Sequence, residues 1–346
     1  MLNLIVNKST FLKNKALTII VGVIVIAILI GFIYDALKPK DTTAEMVKIE
    51  SQKTHSNMEE IKIHYQKALA YMEEAKYHKA KEEFEKFIPM DIKDADILHS
   101  YGYLYYKLGE YDKAIEFYNK SLNILIATVG ENHPNVASSY NNIGLAWDSK
   151  GAYDKAIEFY NKDLKITLAT LGENHPSTAT SYNNIGSAWD CKGEYNKTIK
   201  LYNRALKIQL ATLGENHPFT AASYNNIGSA WNSKGEYDKV IEFYNRALKI
   251  QLSTLGENHP STAISYNDIG LACNNKGEYA KAIEFYNKSL KIQIATLGEN
   301  HPSTATSYNN IAILHFQMEK YQDAYDFMKK AVKIREMKSY LQPILS

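Results

Sequence analysis

Residues 182–223 read YNNIGSAWDCKGEYNKTIKLYNRALKIQLATLGENHPFTAAS, and the next 42 residues, 224–265, differ from them at only nine positions. The tyrosine that opens this unit recurs every 42 residues, at Tyr140, Tyr182, Tyr224, Tyr266 and Tyr308. A fixed period of this length is typical of proteins built from stacked structural repeats. The sequence therefore predicts a repeat array rather than two or three globular domains.

Each repeat predicts two helices that are separated by two breaks. Pro176 suits the first turn of a helix, because its missing N–H is not needed there, and Gly193 can end that helix. A second helix is expected to begin near Tyr195 and to stop at Gly214. The ENHP segment then leads into the next unit.

Both predicted helices carry an apolar stripe at helical spacing. The stripes are Tyr182, Ile185, Gly186 and Trp189 on the first helix and Tyr195, Thr198, Tyr202 and Ala205 on the second. Gly186 and Ala205 are small, as a close crossing of two helices requires. Neither helix can bury its stripe alone, so neighbouring units are expected to share a common core.

This order of residues resembles the tetratricopeptide repeat signature, and the 42-residue unit with LGENHP between units resembles the kinesin-light-chain subtype. The resemblance covers residues 98–339 as six units of about 42 residues, and 340–346 form a C-terminal tail. A divergent first unit is expected in 61–97, carried by Ala68, Tyr71, Tyr77, Ala80 and Phe84. The resemblance implies an all-α, right-handed superhelical solenoid of helix-turn-helix repeats.

The last unit departs from the others. Ala312 replaces the repeated glycine, His315 the tryptophan and Met328 the second-helix tyrosine. Its last helix is rich in Lys and Arg outside the apolar positions. We expect that helix to act as a solubilising cap on the array.

The N-terminal segment Ala16–Tyr34 contains 19 residues without a charge, close to the roughly 20 that a membrane-spanning helix needs. It is longer than the apolar region of a signal peptide, and no small-x-small cleavage site follows before Asp35. We predict an uncleaved transmembrane helix over 16–34, between a short flank, 1–15, and a polar tether, 35–60. A buried core helix is the alternative, although the repeats offer it no free apolar face. Lysines on both sides nearly balance, so the side of the membrane that carries the array stays open.

Composition and motifs argue against several other classes of protein. Lys plus Arg total 40 against 38 for Asp plus Glu, so the overall charge does not favour nucleic acid. The chain lacks the P-loop, GxSxG, HExxH and CxxC motifs, and we expect no enzyme, catalytic residue or cofactor.

One histidine recurs in each GENHP segment, at His133, His175, His217, His259 and His301. Because metal ligands must converge on one ion, we predict caps or turns there and no metal site.

A ligand-binding face is predicted on the first helices, which line the concave side of such a solenoid. Three positions of each first helix, four and then three residues apart, form what we call the groove stripe. Its asparagines are Asn141, Asn183, Asn225, Asn267 and Asn309. Its middle positions are Leu145, Ser187, Ser229, Leu271 and Ile313. Its last positions are Asp148, Asp190, Asn232, Asn274 and Phe316.

The kinesin-light-chain resemblance implies a role for the groove stripe. An asparagine at the matching place contacts bound peptide in that family, because a carboxamide can both donate to and accept from a peptide backbone. The alternative is that the amides bond one another or neighbouring loops and only solvate the groove. The stripe carries almost no Lys or Arg, so a neutral or mildly basic segment suits Asp148 and Asp190 better than an acidic one.

These features predict a single-pass, membrane-anchored scaffold that holds a protein or peptide partner in its groove. A second interpretation is a structural array that self-associates laterally or end to end at a membrane or cell envelope. A third is an enzyme whose site the motifs do not reveal. The sequence does not identify the partner, the membrane or the oligomeric state.

Overall fold

The structure is a computed structural model that describes residues 59–86 and 92–341, with side chains up to residue 336. The chain divides into two units, Met1–Pro89 and Met90–Ser346. Every regular element within the described ranges is a helix, and there are fourteen of them. The prediction of an all-α solenoid is confirmed.

One helix pair is described in the first unit. Helix α1 covers 59–73, and α2 is Tyr77–Glu85. Ala68, Ala80 and Phe84 are fully buried. All three are among the residues that the sequence assigns to a divergent first repeat.

Twelve helices in the second unit form six consecutive pairs. The first helices are α3 Ala95–Lys107, α5 Pro134–Ser149, α7 Pro176–Cys191, α9 Pro218–Ser233, α11 Pro260–Asn275 and α13 Pro302–Gln317. The second helices are α4 Tyr111–Val129, α6 Tyr153–Thr170, α8 Tyr195–Leu213, α10 Tyr237–Thr254, α12 Tyr279–Leu297 and α14 Tyr321–Leu341.

Helices in the second unit begin and end at the predicted breaks. Proline occupies the first turn of α7, and the ring of His175 accepts a hydrogen bond from the backbone N–H of Ser177 at 3.1 Å. Gly193 and Gly214 follow α7 and α8 with φ of 76° and 86°. Only glycine adopts this left-handed backbone without strain, which explains why it recurs at these positions.

A buried threonine fastens the turns that precede α7, α9, α11 and α13. Thr178 Oγ1 donates to the carbonyl oxygen of Gly172 at 2.8 Å, and Thr220 makes the same bond to Gly214 at 2.8 Å. Both threonines are fully buried. Each bond satisfies a turn carbonyl and thereby fixes the LGENHP segment against the helix that follows it.

The predicted stripes form a core that neighbouring units share. Ile157 and Tyr160 of α6 lie in one buried cluster with Ile185 and Ala188 of α7. The second helix of one unit therefore packs against the first helix of the next. This contact is repeated along the second unit and orders the first helices side by side.

The last helix, α14, departs from the predicted solubilising cap. Its inner face packs through Ala331 and Ile334, which are buried. On its other side Tyr325 is 61% exposed, Val332 42% and Met328 38%. The charged residues therefore do not cover this apolar face, and the expectation of a polar end is wrong there.

No helix within 59–86 and 92–341 combines the length and apolar character needed to cross a bilayer. The predicted span over 16–34 lies outside the described residues, as do the flank 1–15 and most of the tether. Residues 59 and 60, which the sequence assigns to the tether, already belong to α1.

Candidate functional site

The groove stripe lies on helices that contact one another directly. Asn184 Nδ2 on α7 donates to Asn141 Oδ1 on α5 at 2.7 Å. Ser149 Oγ on α5 donates to the hydroxyl of Tyr106 on α3 at 3.2 Å. Successive first helices are thus near neighbours, and equivalent residues form one continuous surface across the units.

The five stripe asparagines are all half-buried, but their amides differ. Asn141 accepts from Asn184, which matches the alternative in which amides bond one another. The amide of Asn267 lowers the carboxyl pKa of its neighbour Asp268 against the larger raising effect of burial. Asn183 differs, because its Oδ1 is buried and has no hydrogen-bond partner within the described residues.

Two carboxylates, Asp148 and Asp190, occupy equivalent places in adjacent units. Both side chains are half-buried, and burial raises the pKa of each. In each of them Oδ1 is buried without a hydrogen-bond partner in the part of the chain that the structure describes. Such an acceptor is costly to leave unpaired. We call these two residues the acidic end of the groove stripe.

A tyrosine hydroxyl beside the acidic end also lacks a partner. Tyr202 and Tyr244 lie beside the stripe hydroxyls of Ser187 and Ser229, which lower the tyrosine pKa against the larger raising effect of burial. The equivalent Tyr160 is fully buried, and its hydroxyl bonds to no group among the described residues. Burial and the charge of Asp148 raise its pKa.

The unpaired hydroxyl has a cause in the sequence. The stripe position that holds serine in the next two units is Leu145, which offers no acceptor. Comparing the three units at this position could have revealed the difference, whereas the apolar pattern alone does not.

Cations are absent from the helices that carry the groove stripe. The five first helices from α5 to α13 contain no Lys or Arg, and Asp148, Asp190 and Asp268 are their only acidic residues. Lysines follow the ends of these helices, and two of them bind aspartates of the second helices. Lys150 contacts Asp112 at 2.5 Å, and Lys276 contacts Asp238 at 2.6 Å. The surface is therefore acidic although the whole chain has a formal net charge of +2.

Towards α13 the surface becomes apolar. We call four exposed side chains the apolar end: Ile264 (61% exposed), Leu271 (43%), Ile313 (43%) and Phe316 (63%). A hollow of about 200 Å³ lies beside Ile264 and Asn267, and Gln293, Ser303, Thr306 and Ser307 complete its wall. Leu271, Ile313 and Phe316 belong to the predicted stripe. Ile264 was not predicted. Other units carry a small residue at its place (serine, threonine or alanine), and this difference in size could have revealed it.

The repeated histidines serve as helix caps. Nδ1 of each ring accepts from the backbone N–H two residues later, at 3.1–3.2 Å. Each unit holds one such ring, so the rings lie apart from one another along the array. Within the described ranges, no three His, Cys, Asp or Glu residues are grouped so as to hold a metal ion.

Comparison with solved structures finds the same fold in several repeat proteins. One is described as a Podosopora anserina kinesin light chain with nearly identical TPR-like repeats; it is 24% identical with a TM-score of 0.54, and the match covers 60% of this chain and 99% of that one. BtubC (BKLC) from P. vanneervenii is 22% identical with a TM-score of 0.54, covering 72% and 92%. The apo form of RapI is 14% identical with a TM-score of 0.54, covering 81% and 99%. At these identities the likeness establishes the fold alone.

Two family profiles match the sequence, and both are described as tetratricopeptide repeat. One matches residues 93–166, 191–253, 232–295 and 261–337, and the other matches 61–91. A search of curated protein sequences found no significant match. Because the profiles match more than half of its residues, the chain belongs to the tetratricopeptide repeat family.

Proposed function

We propose that this protein is a membrane-anchored scaffold that holds a partner protein by a segment bound along the groove stripe. The observation that carries the proposal is the row of half-buried polar side chains on adjacent first helices, in which Asn183, Asp148 and Asp190 each keep a buried acceptor atom without a partner among the described residues. Repeat arrays typically present such a surface on their concave side, and tetratricopeptide repeats are typical protein-interaction scaffolds. We assign the groove stripe to that side.

The membrane part of the proposal rests on residues 16–34, which lie outside the described residues. Their 19-residue length and lack of charge support an anchor;. Extraction of cell membranes with alkaline carbonate tests it: the full chain should stay with the membrane, and a chain lacking 16–34 should be released. If both are released, the protein has no anchor there. Protease treatment of intact and opened cells would then show on which side the array lies.

Partner binding is tested by photo-crosslinking in cells. A photoreactive amino acid at Leu271, in the groove stripe, should crosslink the full chain to discrete partners. The same amino acid at Lys249, exposed on second helix α10, should not give those products. Equal products from both positions would place the contact outside the groove stripe.

A pair of substitutions then asks whether the stripe amides contribute. Asn183→Leu with Asn225→Leu should weaken crosslinking from Leu271. Asn203→Leu with Asn245→Leu makes the same chemical change on the second helices, where each amide bonds only its own helix backbone at 2.7 Å. Undiminished crosslinking in the first pair would exclude the amides from binding.

End-to-end self-association is a second candidate function, and the exposed face of α14 supports it. Tyr325, Met328 and Val332 occupy the positions that Ile199, Tyr202 and Leu206 hold in α8, and those three are buried. The full chain in detergent should then sediment as a concentration-dependent oligomer that Tyr325→Lys with Val332→Lys dissociates. Gln322→Lys, exposed on the same helix, is the control. A monomer at all concentrations would exclude this function.

A further inference from the structure

The groove stripe changes character along its length, and this change indicates what kind of segment it binds. We propose that the partner segment carries a lysine or arginine side chain, bound at the acidic end, and a large apolar side chain about six residues away, bound at the apolar end. This inference rests on the proposed function, because it names the partner chemistry of the same surface.

The acidic end offers two carboxylates to donors from outside the chain. Asp148 and Asp190 remain partly exposed, while the unpaired Oδ1 of each is buried. Each has an oxygen without a donor within the described residues, and Asn183 Oδ1 lacks a donor as well. Lysine and arginine side chains carry donors only, and their bonds to carboxylates are among the stronger ones.

The hydroxyl of Tyr160 is an independent sign of a missing partner at the same place. It is fully buried beside Asp148. Its counterparts in the next two units, Tyr202 and Tyr244, lie beside the hydroxyls of Ser187 and Ser229, which lower their pKa, whereas Leu145 offers no hydroxyl. Asp148 and Tyr160 thus place two unpaired groups in one unit, and Asp190 places a third in the next.

No cation of this chain competes for the acidic end within the five first helices. Lys192, which follows α7 two residues after Asp190, instead contacts Asp154, and its Nζ lies 4.8 Å from the Trp189 ring centroid. Lys150 makes the equivalent contact with Asp112. Charge complementarity therefore favours a basic segment over an acidic one.

The apolar end offers a different type of contact. Single exposed apolar side chains are common on protein surfaces, but these four lie on only two neighbouring first helices, α11 and α13;. The hollow has Ile264 as its apolar wall, and polar side chains form the rest of its lining. A Leu, Met or aromatic residue of the partner would bury this surface and gain hydrophobic stabilisation.

The spacing follows from helix geometry. Asp190 lies on α7 and Leu271 on α11, two first-helix steps apart and within one helical turn of the equivalent register. Packed helices are about 8–10 Å apart, so the two ends are separated by about 16–20 Å. An extended chain advances about 3.3 Å per residue, which corresponds to five or six residues.

An array of random twelve-residue peptides, acetylated and amidated to remove terminal charges, tests the proposal with the full chain in detergent. The bound peptides should be enriched in Lys or Arg five or six residues from a large apolar residue. Asp148→Asn with Asp190→Asn should lower affinity for them about tenfold and abolish the basic preference while keeping the apolar one. Ile264→Ser with Phe316→Ser, at exposed sites, should do the reverse.

The outcomes separate this inference from the function on which it rests. Peptides that bind without basic enrichment, but are lost in the variant with Asn183→Leu and Asn225→Leu, would overturn the inference and leave the groove function standing. Enrichment of acidic peptides would also overturn it. Retention of no peptide at all would count against both.

Discussion

Gly186 on α7 lies against the ring of Tyr202 on α8, so closely that a Cβ at position 186 would be 2.7 Å from Cε1 of that ring. The same pairing recurs between Gly102 and Tyr118, and in every later unit up to Gly270 and Tyr286. In the last unit both partners change together, because Ala312 faces a helix that carries Met328 instead of tyrosine.

Gly186→Ala should therefore destabilise the array. The added methyl must displace a well-packed ring, which costs about 1–3 kcal/mol. Combining it with Tyr202→Met should recover much of that loss, because methionine is flexible and the last unit already uses this combination. Urea unfolding of the single and double variants measures the effect. Strictly additive losses would show that the two positions are not coupled.

Much of this fold could be predicted because glycine, proline and histidine mark the ends of the helices. Pro176, Gly193 and Gly214 act locally, through backbone geometry that the residue type dictates. Repetition every 42 residues then made the shared core of neighbouring units the simplest way to bury Tyr182 and Tyr202.

The candidate site was less accessible to sequence reasoning, because it depends on which atoms find partners. The amides of Asn141 and Asn183 look identical in sequence, yet only the first accepts from a neighbouring unit. The hydroxyl of Tyr160 is unpaired in the unit where Leu145 takes the place that Ser187 holds in the next unit. Such differences arise from contacts between units, which one repeat considered alone does not contain.

The capping role of the histidines gives a local prediction. His175→Ala should destabilise the start of α7 by about 0.5–1 kcal/mol, because the backbone N–H of Ser177 loses its acceptor;. His175→Asn should retain most of the stability, since asparagine is a good N-cap. Amide hydrogen exchange in the first turn of α7 measures both. Equal protection in the alanine variant would contradict the capping role.

Two tyrosine substitutions provide a matched comparison beside the groove. Tyr160→Phe removes a buried hydroxyl that bonds to nothing in the described chain, so stability should stay equal or rise by up to about 1 kcal/mol;. Tyr202→Phe removes a hydroxyl that interacts with Ser187 and should cost about 1 kcal/mol. Thermal unfolding of the two variants checks this difference. An equal loss in both would mean that Tyr160 has an internal partner.

Asp163 on α6 is a buried carboxyl in a position that other units fill with serine or alanine. It is 6% exposed, and it accepts from Ser181 at 2.6 Å and from Thr167 at 3.0 Å. These two bonds lower its pKa, but burial outweighs them and the net pKa is raised. The folded state therefore holds the Asp163 proton more tightly than the unfolded state does.

The sign of the pH effect follows from this raised pKa. As pH rises above the ordinary range of an aspartate, the unfolded chain ionises first, so stability falls until the folded carboxyl ionises as well and is then constant. Asp163→Ser should remove this loss. The new hydroxyl can donate to the carbonyl of Ala137, as Ser121 does to Ala95 and Ser289 to Ala263, both at 2.7 Å.

At pH 8 we expect Asp163→Ser to be more stable than the parent chain by about 1–2 kcal/mol, because an ionised group is no longer buried. The difference should shrink as the pH falls through the raised pKa of the folded carboxyl. Urea midpoints at several pH values measure it, and Glu158→Ser, on the exposed face of the same helix, is the control. An equal advantage at every pH would show that the charge of Asp163 is not what destabilises the parent chain.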